Sequence, residues 1–219
     1  MSKKAESGKL GHAGLTTKVL TLIPIAVGIN LVGGTLCSFL KLPLFLDTIG
    51  TLIVACLAGP WAAALTGLLT NVFLAIVANP VYLPYAAVSV LVGLAAGFMA
   101  RAGLFRKLWG VVLVWLVVTL VNSVSAAMIT SYVFGGATGV NGTSVLTTAL
   151  VVALKDVLLS VFSSALIENL VDKGITVLIA YTVWRKIPKR MLSQYGVEGP
   201  SKADNEDVEV LDEDLTDSK

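Results

Sequence analysis

Charged residues are scarce in this sequence, and most of those present lie near its two ends. Asp, Glu, Lys and Arg make up 14% of the 219 residues, whereas soluble domains carry about 25%. Hydrophobic residues reach 56%, and the mean hydropathy is +0.85. Between residues 19 and 184 the acidic residues are Asp47, Asp156, Glu168 and Asp172. This composition leaves no room for a soluble catalytic domain and predicts an all-α membrane protein.

Metal-binding and redox residues are also few. His12 is the only histidine and lies in a polar stretch, while Cys37 and Cys56 stand alone in apolar runs without CxxC spacing. Such cysteines are typically small buried hydrophobic residues, so we expect neither a metal site nor a cofactor. The GxxxxGK[ST] pattern of a P-loop is absent as well, so this chain should not hydrolyse ATP. No nucleic-acid partner is expected.

Apolar runs divide the middle of the chain into candidate membrane spans, each of which needs about 20 apolar residues. The first five runs cover residues 19–40, 48–58, 62–77, 85–102 and 108–134. The next run, 145–184, is too long for one span, because about 40 residues at about 1.5 Å each reach about 60 Å. We interpret 145–160 as an outer-surface or kinked helical segment and 161–184 as the last span.

Basic residues indicate how the chain crosses the membrane. They form three clusters: Lys3, Lys4, Lys9 and Lys18; Arg101, Arg106 and Lys107; and Arg185, Lys186, Lys189 and Arg190. Positive charge favours the cytoplasmic side, and all three clusters share that side if the chain crosses six times. We therefore predict a cytoplasmic N-terminal tail at 1–16, a compact bundle of six transmembrane helices at 17–192, and a disordered acidic cytoplasmic tail at 193–219.

Ionisable residues inside a span are costly, so Glu168 and Asp172 are functional candidates. Counted from Arg185 along the last helix, Glu168 lies about 26 Å away and Asp172 about 20 Å, in the outer half of the span. The two are four residues apart and share a helix face with Asn169 beside them. We predict that Glu168, Asn169 and Asp172 line a solute cavity open to the outside. The alternatives are a cluster neutralised by Lys173 and a two-carboxylate enzyme, for which no nucleophile is evident.

Other polar and aromatic residues are candidates for the same cavity. Asn71 and Asn122 lie in the outer halves of the third and fifth spans, where they either line the cavity or hold helices together by hydrogen bonds. Tyr82 and Tyr85 follow the third span and either belong to the interfacial aromatic belt or stack on a planar solute. Asp47 precedes the second span, as a site residue or as a cap for its free backbone N–H groups.

On the first span, Ala26, Asn30 and Gly34 follow one another at intervals of four residues and form a stripe of mostly small side chains. Such a stripe lets another helix approach closely. It could be a docking surface for a partner membrane protein, while Asn30 could instead hold helices together inside the bundle.

Five short motifs stand out among the predicted spans. They are residues 30–34 (NLVGG), 42–51 (LPLFLDTIGT), 59–61 (GPW), 67–71 (GLLTN) and 168–173 (ENLVDK) before a basic end. Together with the six short spans, they make the chain resemble the substrate-binding S component of an energy-coupling factor (ECF) type ABC transporter. The resemblance covers about residues 15–192.

This resemblance implies a high-affinity binder of a vitamin or related micronutrient, including nucleobase-like and other ring-containing solutes. The family's site lies near the outer face, formed by the first, third and fifth loops with the last three spans. Its partners are a transmembrane coupling protein and two cytoplasmic ATPases, in a bacterial cell membrane. Family members usually dock through Ala-xxx-Ala on the first span, whereas here Asn30 follows Ala26.

The sequence thus favours a solute-binding transport subunit and not an enzyme. Neutral or cationic ring-containing solutes fit best, because the outer-half polar set offers mainly carboxylates and amides. One alternative is a stand-alone carrier in which Glu168 and Asp172 couple transport to an ion gradient. Another is a membrane sensor module, against which the short acidic tail argues.

Overall fold

The chain folds into helices, as the composition predicts. The computed structural model describes residues 17–140 and 142–195. The predicted tail at 1–16 lies outside the described residues, as does the predicted tail at 193–219 except for residues 193–195, which form a 3-10 turn. The α-helices are α1 (Thr17–Phe39), α2 (Ile49–Ala58), α3 (Pro60–Val77), α4 (Ala86–Arg101), α5 (Leu108–Phe134), α6 (Thr143–Leu154), α7 (Val157–Lys186) and α8 (Lys189–Leu192). No strand occurs within these ranges. The all-α prediction is confirmed.

Among the described residues, three helices are long and apolar enough to cross a bilayer, namely α1, α3 and α5. α4 is shorter, with 16 residues, and α7 has 30 residues but carries charged side chains in its middle. These lengths and compositions support a multi-pass membrane protein. The count of six spans stays a prediction.

The short helix α2 lies inside the bundle. It has 10 residues, of which only Ile49 and Ile53 are not buried, and it packs against α1, α3, α4 and α7. A helix that is apolar all round is expected in such a position. Because neighbours cover α2, the exposed apolar surface belongs to the longer helices, with Val32 70%, Ile76 73% and Leu178 63% exposed. These outer faces suit contact with lipid, whose tails are as apolar as leucine.

The long run after α5 is divided, as predicted, but at a different place. Lys155 ends α6 with φ 56°, in the left-handed conformation, and Asp156 caps α7 by accepting a hydrogen bond from the Leu159 N–H at 2.9 Å. The predicted boundary at residue 160 is therefore wrong by a few residues. Asp156 is a preferred N-cap residue, so the sequence itself carried a signal for this boundary.

Asn30 connects three helices in the interior. Its Nδ2 donates to Thr51 Oγ1 at 2.9 Å and to Thr70 Oγ1 at 3.0 Å, and its Oδ1 accepts from the Gly50 N–H at 2.7 Å. The whole stripe of Ala26, Asn30 and Gly34 is buried against neighbouring helices. A docking role for these side chains does not fit their position, because the protein itself covers them.

We expect Gly50→Ala to destabilise the protein, because a Cβ added there would overlap the Ala26 carbonyl oxygen and push α1 and α2 apart. Overpacking of this kind typically costs about 1–3 kcal/mol. The matched control is Gly28→Ala, since a Cβ at Gly28 meets nothing within 4 Å. Thermal unfolding in detergent, followed by tryptophan fluorescence, compares the two variants. Equal melting temperatures would contradict the close packing of α1 on α2.

Candidate functional site

Three connections meet at one end of the bundle and surround a cavity. They lie between α1 and α2 (40–48), between α3 and α4 (78–85), and after α5 (135–140). Side chains from α3 to α7 complete the walls. About 800 Å³ of space free of protein atoms lies between these walls, and this figure includes space open to solvent.

The structure brings most of the predicted site residues together around this cavity. Its lining includes Asp47, Asn71, Tyr82, Tyr85, Asn122, Glu168 and Asn169. Asp172 is not among the lining residues, because it is fully buried and turned toward the connection between α1 and α2. Direct contact between Asp172 and a solute therefore does not fit the structure, and its position indicates a supporting role.

Lys173 joins two acidic residues in a buried ion cluster. Its Nζ lies 2.6 Å from Asp172 Oδ2 and 3.8 Å from Asp47 Oδ1, and it donates to Thr48 Oγ1 at 3.1 Å. The side chains of Lys173 and Asp172 are only 1% and 0% exposed. Buried charges are tolerated when they are paired and hydrogen-bonded. We call Asp47, Asp172 and Lys173 the ion cluster.

Asp172 also holds the backbone of the connection between α1 and α2. Its Oδ1 accepts hydrogen bonds from the N–H groups of Phe45 and Leu46 at 2.9 and 2.8 Å. Leu46 has φ 49°, a left-handed conformation that is uncommon for residues other than glycine. This turn places Phe45 in the cavity wall. The ion cluster therefore holds in place the part of the cavity wall that contains Phe45.

Asp47 belongs to this cluster and does not cap α2. The N-cap of α2 is Thr48, which makes no side-chain capping bond. Asp47 instead lies near Lys173 and lines the cavity. The capping alternative for Asp47 is wrong, because the turn at Leu46 directs this carboxylate toward α7.

The amide side chains at the cavity have definite orientations. Asn169 Nδ2 donates to the Ala165 carbonyl at 2.8 Å, so its Oδ1 faces Asn122 and accepts from Asn122 Nδ2 at 2.8 Å. Asn71 Nδ2 donates to the Gly67 carbonyl at 3.3 Å and to Ser89 Oγ at 2.5 Å. Asn71 uses both N–H groups of its amide inside the protein and Asn122 uses one. Oδ1 of Asn71 and of Asn122 is available as an acceptor, and Asn122 also keeps one N–H donor.

Two tyrosines contribute aromatic surface to the walls. Tyr85 stacks on Phe134 with ring centroids 5.9 Å apart, and its hydroxyl bonds to Thr130 Oγ1 at 2.5 Å. Tyr82 is only 5% exposed, so it is not a residue of the interfacial belt. Burial raises the pKa of Tyr82 to about 12, so its hydroxyl stays protonated at neutral pH.

Glu168 lines the cavity without a protein partner for one of its oxygens. The residue is 7% exposed, and Oε1 forms no hydrogen bond with any described residue. Of the two carboxylates that the alternative interpretation paired with Lys173, the structure pairs Asp172 with it and not Glu168. Glu168 is therefore the buried acidic group whose pairing the protein leaves incomplete.

Several parts of the site were not predicted from the sequence. Lys173 itself lines the cavity, and its signal was the rule that buried carboxylates need a counter-charge. Hydroxyl groups also line it, and two of them, Thr147 Oγ1 on α6 and Ser164 Oγ on α7, lie 2.6 Å apart. α6 thus forms part of the cavity wall. Within the described ranges, no group of three or more His, Cys, Asp or Glu residues is arranged to hold a metal ion.

These features define a multi-pass helical membrane protein with a polar cavity between its helices. A family model described as "ECF transporter, substrate-specific component" matches residues 18–184. The protein therefore belongs to this family, as its motifs predicted, and the family consists of transport subunits and not enzymes. Membership implies a complex with a coupling protein and ATPases that handles a small solute. Comparisons with curated proteins and with solved structures found no match.

Lys173→Met should strongly destabilise the protein, because two buried carboxylates then lose their counter-ion. Breaking a buried ion pair from one side costs about 3–5 kcal/mol. We expect a lower melting temperature in detergent and faster tryptic cleavage after Lys41 in the released connection. Lys107→Met, at an exposed position, is the control. A Lys173→Met protein as stable as that control would show that the cluster does not hold the connection.

Proposed function

We propose that this protein captures a small ring-containing solute, a vitamin or related micronutrient, in the cavity as the substrate-specific subunit of its transporter. The observation that carries the proposal is the unpaired Oε1 of Glu168 at the cavity wall. A buried polar atom without a partner is costly, and a bound solute would supply that partner. The surrounding amides, hydroxyls and rings fit a site in which a few polar groups orient a ligand between apolar walls.

The proposed roles follow from the position of each side chain. Glu168, Asn122 and Asn71 would accept hydrogen bonds from the solute, and Asn169 would hold Asn122 in orientation. Tyr82 and Tyr85 would lie against the face or edge of its ring. Asp47, Lys173 and Asp172 would support the wall that contains Phe45.

The cavity is proposed to open to the outside of the cell, with both termini in the cytoplasm. Arg101 ends α4 and Lys107 follows it, and Arg185 and Lys186 end α7. Both helices lead away from the three connections around the cavity. Positive charge favours the cytoplasmic side, which supports an outward-facing cavity. Under this proposal the described helices form the predicted membrane domain at 17–192.

Purified protein should retain a small solute from the cells that produce it, and Asn122→Ala should reduce the amount retained. The substitution removes a solute contact and the bond to Asn169, and hydrogen-bond losses of about 1.4 kcal/mol correspond to about tenfold in affinity. Mass spectrometry of the solute released per mole of protein measures the effect. Thr182→Ala, at an exposed position on α7, is the control. Equal retention by both variants would contradict the proposed site.

The energy source distinguishes this function from the stand-alone carrier, which the buried carboxylate Glu168 would also suit. In vesicles that contain this protein, a coupling protein and its ATPases, we expect uptake of the retained solute to require ATP. Uptake should persist when sodium and proton gradients are collapsed. Uptake by this protein alone, driven by either gradient, would favour the carrier.

A further inference from the structure

The free oxygen of Glu168 is directed at a site where the protein provides no cation for it. Glu168 is 7% exposed and lines the cavity, and its Oε1 has no partner among the described residues. Lys173 is the only positively charged side chain in the described lining. Its Nζ is committed to Asp172 at 2.6 Å and lies near Asp47 at 3.8 Å. No described residue therefore supplies a positive charge to the free oxygen of Glu168.

The charged groups around the cavity have a negative net formal charge. The ion cluster contributes two carboxylates and one ammonium group, and Glu168 adds a third carboxylate, so the formal sum is −2. In a poorly hydrated site such an excess favours a positive ligand, because Coulomb interactions are stronger there than in water.

The neutral polar groups of the cavity favour the same kind of ligand. One N–H of Asn122 is used by Asn169, and both N–H groups of the Asn71 amide are used, by Gly67 and Ser89. Backbone carbonyls of Ala165 and Gly67 set these orientations, since a carbonyl can only accept a hydrogen bond. The amide oxygens therefore remain as acceptors, which bind donor groups of a ligand.

Aromatic rings complete the site for a flat cation. Phe45, Tyr82 and Tyr85 all line the cavity. The faces of aromatic rings attract cations and also stack on other planar groups. A planar ligand with a positive, hydrogen-bond-donating group can satisfy the rings and the acceptors together.

We propose that the solute is a planar organic cation that carries N–H donors, such as an amidinium, a protonated ring nitrogen or an arylmethylammonium, and that its positive group pairs with Glu168. This inference rests on the proposed function and narrows the solute to one charge class. In the rival arrangement, Glu168 is protonated and donates a hydrogen bond to a neutral solute.

The test uses benzamidine and benzamide, which have nearly the same shape but differ in charge at neutral pH. Both are titrated into the purified full-length protein after its retained solute is removed, and thermal stabilisation gives the two affinities. We expect benzamidine to bind at least about tenfold more tightly than benzamide, as charge-assisted hydrogen bonds predict. Glu168→Gln should remove this preference while keeping the shape of the side chain.

Asp156→Asn is the matched control, because it removes one negative charge at the start of α7 and keeps a residue that can cap the helix. Its preference for benzamidine should equal that of the unmodified protein. A preference for benzamide, equal binding, no binding of either compound, or a benzamidine preference that survives in Glu168→Gln would each overturn the inference.

The proposed function has a separate readout, the solute retained on purification. If a neutral or anionic solute is retained and Asn122→Ala releases it, the cavity binds a solute and only the inference about its charge fails. If no solute is retained and Asn122→Ala changes nothing, the proposed site itself fails.

Discussion

The ion cluster of Asp47, Asp172 and Lys173 is the interaction on which the rest of the site depends. It joins a loop near the start of the chain to the last long helix, and its hydrogen bonds place Phe45 in the cavity wall. It also determines the state of Glu168, because it occupies the lysine that would otherwise neutralise that carboxylate. One buried lysine thus stabilises the fold and leaves the cavity acidic.

Burial of a charge in this cluster would be costly if the cluster were incomplete. The two N–H groups from the turn at Leu46 and the hydroxyl of Thr48 supply the bonds that the three ionic groups cannot provide for one another. The left-handed backbone at Leu46 is the local condition for this, since it turns two successive N–H groups toward the same oxygen. Strain in such a residue is tolerated where the surrounding contacts determine it.

Much of the fold could be predicted because it follows from the cost of exposing polar groups to lipid. The same cost identified Glu168, Asn71 and Asn122 as candidates, and all three line the cavity. This cost applies to any polar residue in a span, whatever the exact packing of the helices. The division of the long run after α5 was also predictable from length, and its exact position could have been read from Asp156 as a cap.

The rest could not be predicted, because it depends on the rotation of each helix and on pairings between distant residues. Asn30 resembles Asn71 in type and depth, yet it faces α2 and α3 in the interior. The four-residue spacing of Glu168 and Asp172 places them on one face of α7, but their side chains have different surroundings in the fold. Thr48 lies 125 residues before Lys173, and nothing in the local sequence indicates that they meet. The burial of Ala26, Asn30 and Gly34 has the same cause, since helical spacing defines a face without showing what covers it.

The connection between α1 and α2 is attached on two sides with unequal strength. On one side it is bound to α7 through the ion cluster, and on the other the exposed Lys41 donates to the carbonyl oxygens of Val140 at 2.9 Å and Gly139 at 3.5 Å. Bonds of an exposed ammonium are readily exchanged for water, whereas separating buried ions is costly. The contact of this connection with residues 139–140 at Lys41 is therefore less costly to separate than its contact with α7 at Asp172.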